Sequence, residues 1–259
     1  MTNTRQTRDE GKHRAQPHHG PADGHRCSRR GRPCRPVPDR LPGAAVPGAP
    51  AAVQADAAPG LPAKLTVAGY KTYLKKNWDE GGRETTARFA RLTPAQQEKF
   101  VRYLEDRKVY GALKDQVKGN FGRPLHVVDP YNADVTFVTD VTATVAKDKN
   151  AAATLRFSVS ERIYGIPVTT ETLTVKRATK GAVRKTVATA SVRNVNAAIA
   201  VKAGPVKAAT KGAVTKVEVA WTAKPLVKAF GQKAFVKDQS VSAAITKTGR
   251  YFTGKLTNR

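Results

Sequence analysis

Between residues 124 and 259 apolar and polar residues alternate with a period of two, and few folds tolerate that. The run VTFVTDVTATVAK sets Val135, Phe137, Val141, Ala143 and Val145 on one face, and ATLRFSVSERI does the same with Leu155, Phe157 and Val159. TLTVKR, VATASVRNV, AAIAVKA, VTKVEVAWTA, SAAITK and RYFTGKL continue the pattern. Successive side chains of a strand point to opposite faces, so each run can bury one face and wet the other. Valine and threonine dominate, as a pleated, half-buried surface prefers. About eight or nine short strands at regular spacing predict a mainly β protein, an antiparallel β-sandwich (Ig-like or similar) over residues 124–259. Trp221, in phase with Val217 and Val219, is its expected core anchor.

The turns are marked. The hexapeptide ATKGAV occurs at 178–183 and again at 209–214, with Gly181 and Gly212 where a hairpin loop favours positive φ. Thr246-Lys247-Thr248-Gly249 predicts another hairpin. The two hexapeptides read either as a repeated hairpin unit or as drift in a composition rich in Ala, Thr, Lys and Gly.

Residues 63–119 have a different period. Leu65, Tyr70, Tyr73, Leu74 and Trp78 recur at helical spacing until Asp79-Glu80-Gly81-Gly82 interrupts them. A short helix around Glu84–Arg91 presents Phe89 and Leu92. In LTPAQQEKFVRYLED, Thr93 is a natural N-cap, Pro94 suits the first helical position and Gln96 completes a capping box. Phe100, Tyr103 and Leu104 form the apolar stripe of that helix. Together these predict a small α module of short helices ahead of the strands.

Residues 1–62 lack Phe, Tyr, Trp and Ile, hold ten of the 16 prolines and contain both cysteines. Such a segment cannot bury enough apolar surface to offset its ordering entropy, so it is expected to be a disordered leader. A basic stretch from Ser28-Arg29-Arg30 to Arg40, an uncharged stretch over 41–55 and the small-residue site Val53-Gln54-Ala55 resemble an export signal of the twin-arginine kind, with cleavage near 55/56. The motif CSRRGRPC at 27–34 then belongs to a segment that is removed. Other readings of it stay open: a disulfide loop, a zinc site drawing on His25, or an arginine-rich RNA-binding arm. Arg, Pro, Gly, Ala and His are also what G/C-rich codons give in a wrong frame.

The chain carries 46 Lys and Arg against 20 Asp and Glu, a formal net charge of +26. A surface that basic attracts polyanions with little selectivity. No apolar run of about 18 residues is present, so no transmembrane segment is expected. Without the leader no cysteine remains and His126 is the one histidine, which removes cysteine nucleophiles and His- or Cys-rich metal sites. No cofactor is implied, since no Walker A loop, strand-linked G-x-G-x-x-G or EF-hand loop occurs. His126, in RPLHVVDPY near Asp129, is the base any serine triad would have to use. Glu161 is in phase with Phe157, Val159 and Ile163, and Glu171 with Leu173 and Val175, so both carboxylates face the core side of neighbouring strands near Tyr164. That pattern suits an acid pair of a hydrolase. The stronger expectation is a structural rim pair neutralised by Arg162, Lys176 or Arg177, because buried carboxylates need partners and the chain is rich in cations. Lys180 and Lys211, on the two repeated turns, and Tyr164 are candidate binding residues.

The leader, VQADAAPG, the LTPAQQ helix and the ERIYGIPVTTETLTV hairpin resemble secreted proteins of high-GC Gram-positive bacteria for which no activity is assigned. The resemblance implies a secreted or cell-wall-associated location and transfers no residue roles. The expected function is an exported, non-enzymatic basic protein adhering to anionic polymers such as teichoic acid, extracellular nucleic acid or polysaccharide. The alternatives are a secreted polysaccharide hydrolase using Glu161 and Glu171, and a nucleic-acid-binding protein that retains its basic tail.

Overall fold

Four short helices come first, and each begins for a local reason. The structure, a computed structural model, describes residues 60–146, 152–180, 183–246 and 248–259; the expected leader, its cysteines and its cleavage site at 55/56 lie outside them. Helix α1 (Val67–Lys76) starts where the Thr66 hydroxyl accepts from the Gly69 amide at 3.0 Å, and it buries Tyr70 and Leu74 one turn apart. A π-helical turn (Trp78–Gly82) carries the chain into α2 (Arg83–Phe89). The expected interruption at 79–82 is thus a wound turn. Gly82 permits it, because a Cβ there would lie 2.4 Å from the Asn77 carbonyl oxygen. Helix α3 (Pro94–Glu105) has the expected capping box, with Thr93 and Gln96 exchanging bonds of 3.0 and 3.3 Å. Asp106 caps α4 (Arg107–Ala112) through the Lys108 amide.

The rest is mainly antiparallel β, in two sheets. One is a meander of β2 (Leu125–Pro130), β3 (Val135–Val145), β4 (Ala153–Ile163), β5 (Ile166–Lys180) and β6 (Val183–Asn194), paired in that order. The other runs β1 (Asp115–Asn120), β11 (Arg250–Asn258), β10 (Phe235–Ile245), β9 (Val214–Pro225). Its last edge is shared by β7 (Ile199–Ala203) and β8 (Lys207–Lys211), which both pair with β9. The segment 63–119 therefore ends in a strand, β1, which joins the sheet by pairing with the last strand of the chain.

The inner faces of the two sheets contribute to one core with the helices. Phe157, Leu173 and Val175 from one sheet and Val217, Trp221 and Phe252 from the other are buried, as are Tyr70, Phe89 and Phe100 of the helices. Gly254 on β11 lets the Phe157 ring pack closely, since a Cβ there would lie 3.2 Å from the ring. All described residues belong to one compact unit, Ala55–Arg259.

Antiparallel pairing sorts the connections into two ends. The tip end carries the β5–β6, β8–β9 and β10–β11 hairpin loops. Lys180 pairs with Val183 and Lys211 with Val214, so the two ATKGAV copies share a pairing register, and Gly212-Ala213 forms a two-residue loop. Gly212 has φ 57°; Gly181 lies outside the described residues. Ile245 pairs with Arg250 around the expected turn, where the Thr246 hydroxyl accepts from the Gly249 amide at 2.9 Å. Buried Arg177 closes this end across the sheets, donating to the Ala213 carbonyl at 2.8 Å. The opposite end is covered by the helices.

The two tryptophans test whether helices and sheets form one folding unit. Trp78 lies in the helical part, half exposed, and Trp221 in the core of the sheets. Trp78→Phe and Trp221→Phe each leave one reporter. Their fluorescence midpoints in urea are expected to coincide once each is referenced to its own variant's circular-dichroism transition. An earlier Trp78 transition would mean that the helices unfold by themselves.

Candidate functional site

Strand β10 brings a lysine to the core. Its inner face reads Lys237, Gln239, Val241, Ala243, and the first two are wholly buried. Lys237 Nζ donates to the Tyr110 and Leu113 carbonyls, each at 2.6 Å, and lies 3.9 Å from the Tyr110 ring centroid. Those carbonyls end α4, where helix geometry leaves C=O groups unpaired and the dipole favours a cation. Gln239 accepts from Trp221 Nε1 at 3.0 Å and donates to the Phe157 carbonyl of the facing sheet at 3.3 Å.

Glu161 and Glu171 face this lysine from the other sheet, both with no solvent exposure. The Tyr110 hydroxyl donates to Glu171 Oε1 at 2.7 Å. Glu171 Oε2 and both Glu161 oxygens have no hydrogen-bond partner, and neither has the nearby Tyr70 hydroxyl. Burial pushes the Glu161 carboxyl up to about 7, against the pull of Lys237 and with the push of Glu171. Burial also raises Glu171, while Lys237 and the Tyr110 bond lower it. Burial lowers the Lys237 ammonium to about 8, and the two carboxylates act in the opposite direction. Burial holds the Tyr110 and Tyr70 phenols neutral.

The rim expectation for the two carboxylates is corrected. They are in phase with core residues, as the alternation requires, but the helices cover the end of the sheets where they sit. None of the three cations expected from sequence is their partner. Arg162, adjacent to Glu161 on the strand, points to the opposite face. Lys176 is on the exposed face. Arg177 shares the inner face but lies six residues from Glu171, about 20 Å along an extended strand, at the tip end. Nor do the carboxylates line an open cleft, so a glycosidic bond cannot reach them in this conformation.

The other candidates are scattered. His126 is exposed on β2 and its Nδ1 lies 2.6 Å from Asp140 Oδ1; its partner is this cross-strand residue and not Asp129. Asp140 stands between His126 and Ser158 across the sheet, whereas a triad needs the histidine in the middle. Tyr164 forms the β4–β5 turn with Gly165, at φ 50° and 73°. It is at the helical end, near Asp134, which also binds Lys99 and accepts from the Tyr103 hydroxyl at 3.0 Å. Lys211 is exposed at the tip end; the Lys180 side chain lies outside the described residues. Tyr164 and the two lysines are therefore at opposite ends and form no common site.

What the tip end does gather is positive charge. Arg123, Lys176, Lys185, Lys211, Lys216 and Arg250 are exposed on or beside its loops. From residue 152 onward the sequence has twenty lysines and arginines and four carboxylates, Glu161, Glu171, Glu218 and Asp238. Two of the four are buried at the helical end. Glu218 pairs with Lys216 at 2.5 Å, and Asp238 with Arg259 at 2.5 Å, so little anionic charge is left to offset the tips. Grooves of about 770 and 700 Å³ flank the helices instead, one between the π-turn and β6–β7, the other beside Arg107. Arg193 in the first is already engaged with the Gly81 carbonyl and Glu84. Among the described residues no cluster of three His, Cys, Asp or Glu could hold a metal.

Comparison with known proteins adds no relative: no family model, curated protein or solved structure matches the chain. Sequence reasoning missed Lys237, Gln239, Tyr110 and Tyr70. The alternation signalled the first two, since counting back from Val241 places Gln239 and Lys237 on the inner face; α4 has too few residues to show a stripe.

Lys237→Met tests the cluster. It removes the cation facing two buried carboxylates and takes one donor from each of two helix-end carbonyls. Urea unfolding at pH 7 is expected to show a loss of about 3–5 kcal/mol, as for breaking a buried pair by removing one partner. A loss under about 1 kcal/mol would show that Lys237 is not the counterion.

Proposed function

We propose that the chain is an exported, basic, non-enzymatic protein that adheres to anionic cell-wall or extracellular polymers through the tip end of its two facing sheets. The observation that carries this reading is the gathering of exposed cations at the tip end. They come from four separate loops and strand ends, and the one carboxylate of β9, Glu218, is already paired with Lys216. Lysine is a flexible point charge, suited to following an irregular anionic chain and poorly suited to shape-specific recognition. Teichoic acid, nucleic acid and acidic polysaccharide would all satisfy it. The repeated ATKGAV turns support the same reading, because they set Lys180 and Lys211 at equivalent positions of two hairpins linked by the Arg177 bonds. The same proposal takes the two facing sheets as a β-sandwich. The uninterrupted order β2 to β6 supports a meander-built sandwich more than the interleaved strand order of immunoglobulin domains.

Retention on immobilised heparin, DNA and teichoic acid is the direct test. All three are expected to hold the protein at low salt and release it together as salt rises, since such contacts are screened within about 10 Å at 0.1 M. Substituting Lys185, Lys211 and Arg250 by Ser should lower the releasing salt concentration well below that of a helical-end control, Lys71, Lys75 and Lys76 to Ser. Equal shifts would mean that net charge acts without a face, and retention of one polymer at 1 M salt would mean a shaped site elsewhere. Export has its own readout. Intact mass of protein recovered from outside the cell is expected to place the N-terminus near Asp56; a retained 1–55 segment would overturn the export part of the proposal.

A further inference from the structure

The buried cluster contains two carboxylates and one ammonium. We infer that the Glu161–Glu171 pair is a proton-binding site, in which one proton shared with the Lys237 charge closes the seam between the helices and the two sheets. The geometry carries the count. Lys237 is fixed on two carbonyls at 2.6 Å, bonds that use two of its three N–H donors and favour the charged form. Glu171 holds one donor, the Tyr110 hydroxyl. Glu161 holds none on either oxygen, with no solvent exposure. A buried carboxylate without a counterion or donor is among the costliest arrangements a protein can keep, whereas the neutral acid is far cheaper to bury. One ammonium, one carboxylate and one carboxylic acid make the cluster neutral.

Every element packed on Glu161 agrees with that assignment. β5 presents Glu171, a like charge; β10 presents Lys237; α4 presents Tyr110 and α1 presents Tyr70, both phenols held neutral by burial. Arg193 of β6 acts on Tyr70 and is itself bound to Glu84 and the Gly81 carbonyl. Among the described residues no second full cation faces the pair, so a proton is the ligand that completes the balance. None of the surface grooves described above is lined by either carboxylate, which leaves no visible route for a larger ligand.

The sign of the pH effect follows. The folded protein holds the Glu161 proton to about pH 7, whereas an unfolded glutamate releases it near 4.5. Stability from the carboxyl pair is therefore complete below the ordinary carboxylate range, falls as pH rises towards 7 and falls no further above it, while the lowered Lys237 acts in the opposite sense from about pH 8 upward. Glu171, also raised, acts in the same direction. Above that pH an uncompensated charge lies directly beneath α4, which makes the seam a pH-sensitive latch.

The test is the unfolding equilibrium of the full chain in urea between pH 4.5 and 8.5. For the natural sequence the unfolding constant is expected to rise by up to tenfold per pH unit below 7. Glu161→Gln and Glu171→Gln each leave one carboxylate opposite one ammonium, so either should flatten that dependence, and Glu161→Gln should equal or exceed the natural protein in stability at pH 8. An unchanged slope in both variants, or no slope in the natural protein, overturns the proposal. If the variants fail to fold, carbon-13 titration of the glutamate carboxyls in the natural protein decides. One carboxyl still protonated at pH 6, when the exposed glutamates have ionised, is the expected result; titration of every glutamate near its ordinary value overturns it.

Discussion

The Lys237 ammonium under the end of α4 is the interaction on which the arrangement of helices and sheets depends. It joins three parts that are far apart in sequence: the α4 carbonyls of Tyr110 and Leu113, strand β10, and the two carboxylates of the facing sheet. Six-residue helices are not stable alone, because nucleation is costly and few bonds repay it. Helix α4 persists because its first turn is capped by Asp106, its last carbonyls are taken by Lys237, and Tyr110 is buried with its hydroxyl on Glu171. The neighbouring contacts repeat the same logic with weaker groups. Asn196 donates to the Leu104 carbonyl at the end of α3 at 3.2 Å, Asn258 to the Gly111 carbonyl at 2.8 Å, and Arg107 to the Lys233 carbonyl at 2.7 Å. At this end, then, side chains of one part repeatedly satisfy backbone carbonyls of another.

That explains why polar groups were kept where hydrocarbon would pack. Gln239 ties Trp221 to the facing sheet, and Lys237 ties β10 to α4. An apolar residue at either position could bury as much surface, but it would not specify which strand meets which helix end. Buried polar groups are weak evidence for stability and better evidence for registry, and here the partners they select belong to different layers. The meander of β2 to β6 needs no such selection, because each strand finds its neighbour through a short connection.

The parts of this fold that are local were legible in the sequence. Alternation gave the inner faces, Thr93 and Gln96 the start of α3, and Gly212 and Thr246 the turns. The in-phase positions of Glu161 and Glu171 were legible too. Their environment was not, because burial at the end of a sheet is decided by what covers that end. The reasoning that put them at a rim assumed that a carboxylate finds its cation among sequence neighbours. On a strand the adjacent residue is on the other face, so Arg162 was excluded by geometry, and the cation came from β10. Tyr110 and Tyr70 were illegible for a related reason: a tyrosine on a short helix gives no sign of whether its hydroxyl will meet water or a carboxylate.

The distribution of the exposed acids has a structural cause, and it bears on function. Asp134 holds Lys99 and Tyr103, Glu84 holds Arg88 and Arg193, Glu105 takes the Leu65 amide, and Asp106 caps α4. Each fixes a helix to itself, to its neighbour or to the sheets, so the carboxylates collect where the helices are. The tip end has no helices to fix. Its loops are short hairpins that need glycine and hydroxyl side chains, and the strands leading to them need only solvated outer positions, which lysine fills while blunting exposed edges such as β8. The architecture of the chain therefore decides where its carboxylates are placed. The surface that requires least of its residues for folding is then the surface free to be basic, and the proposed adhesion rests on that face.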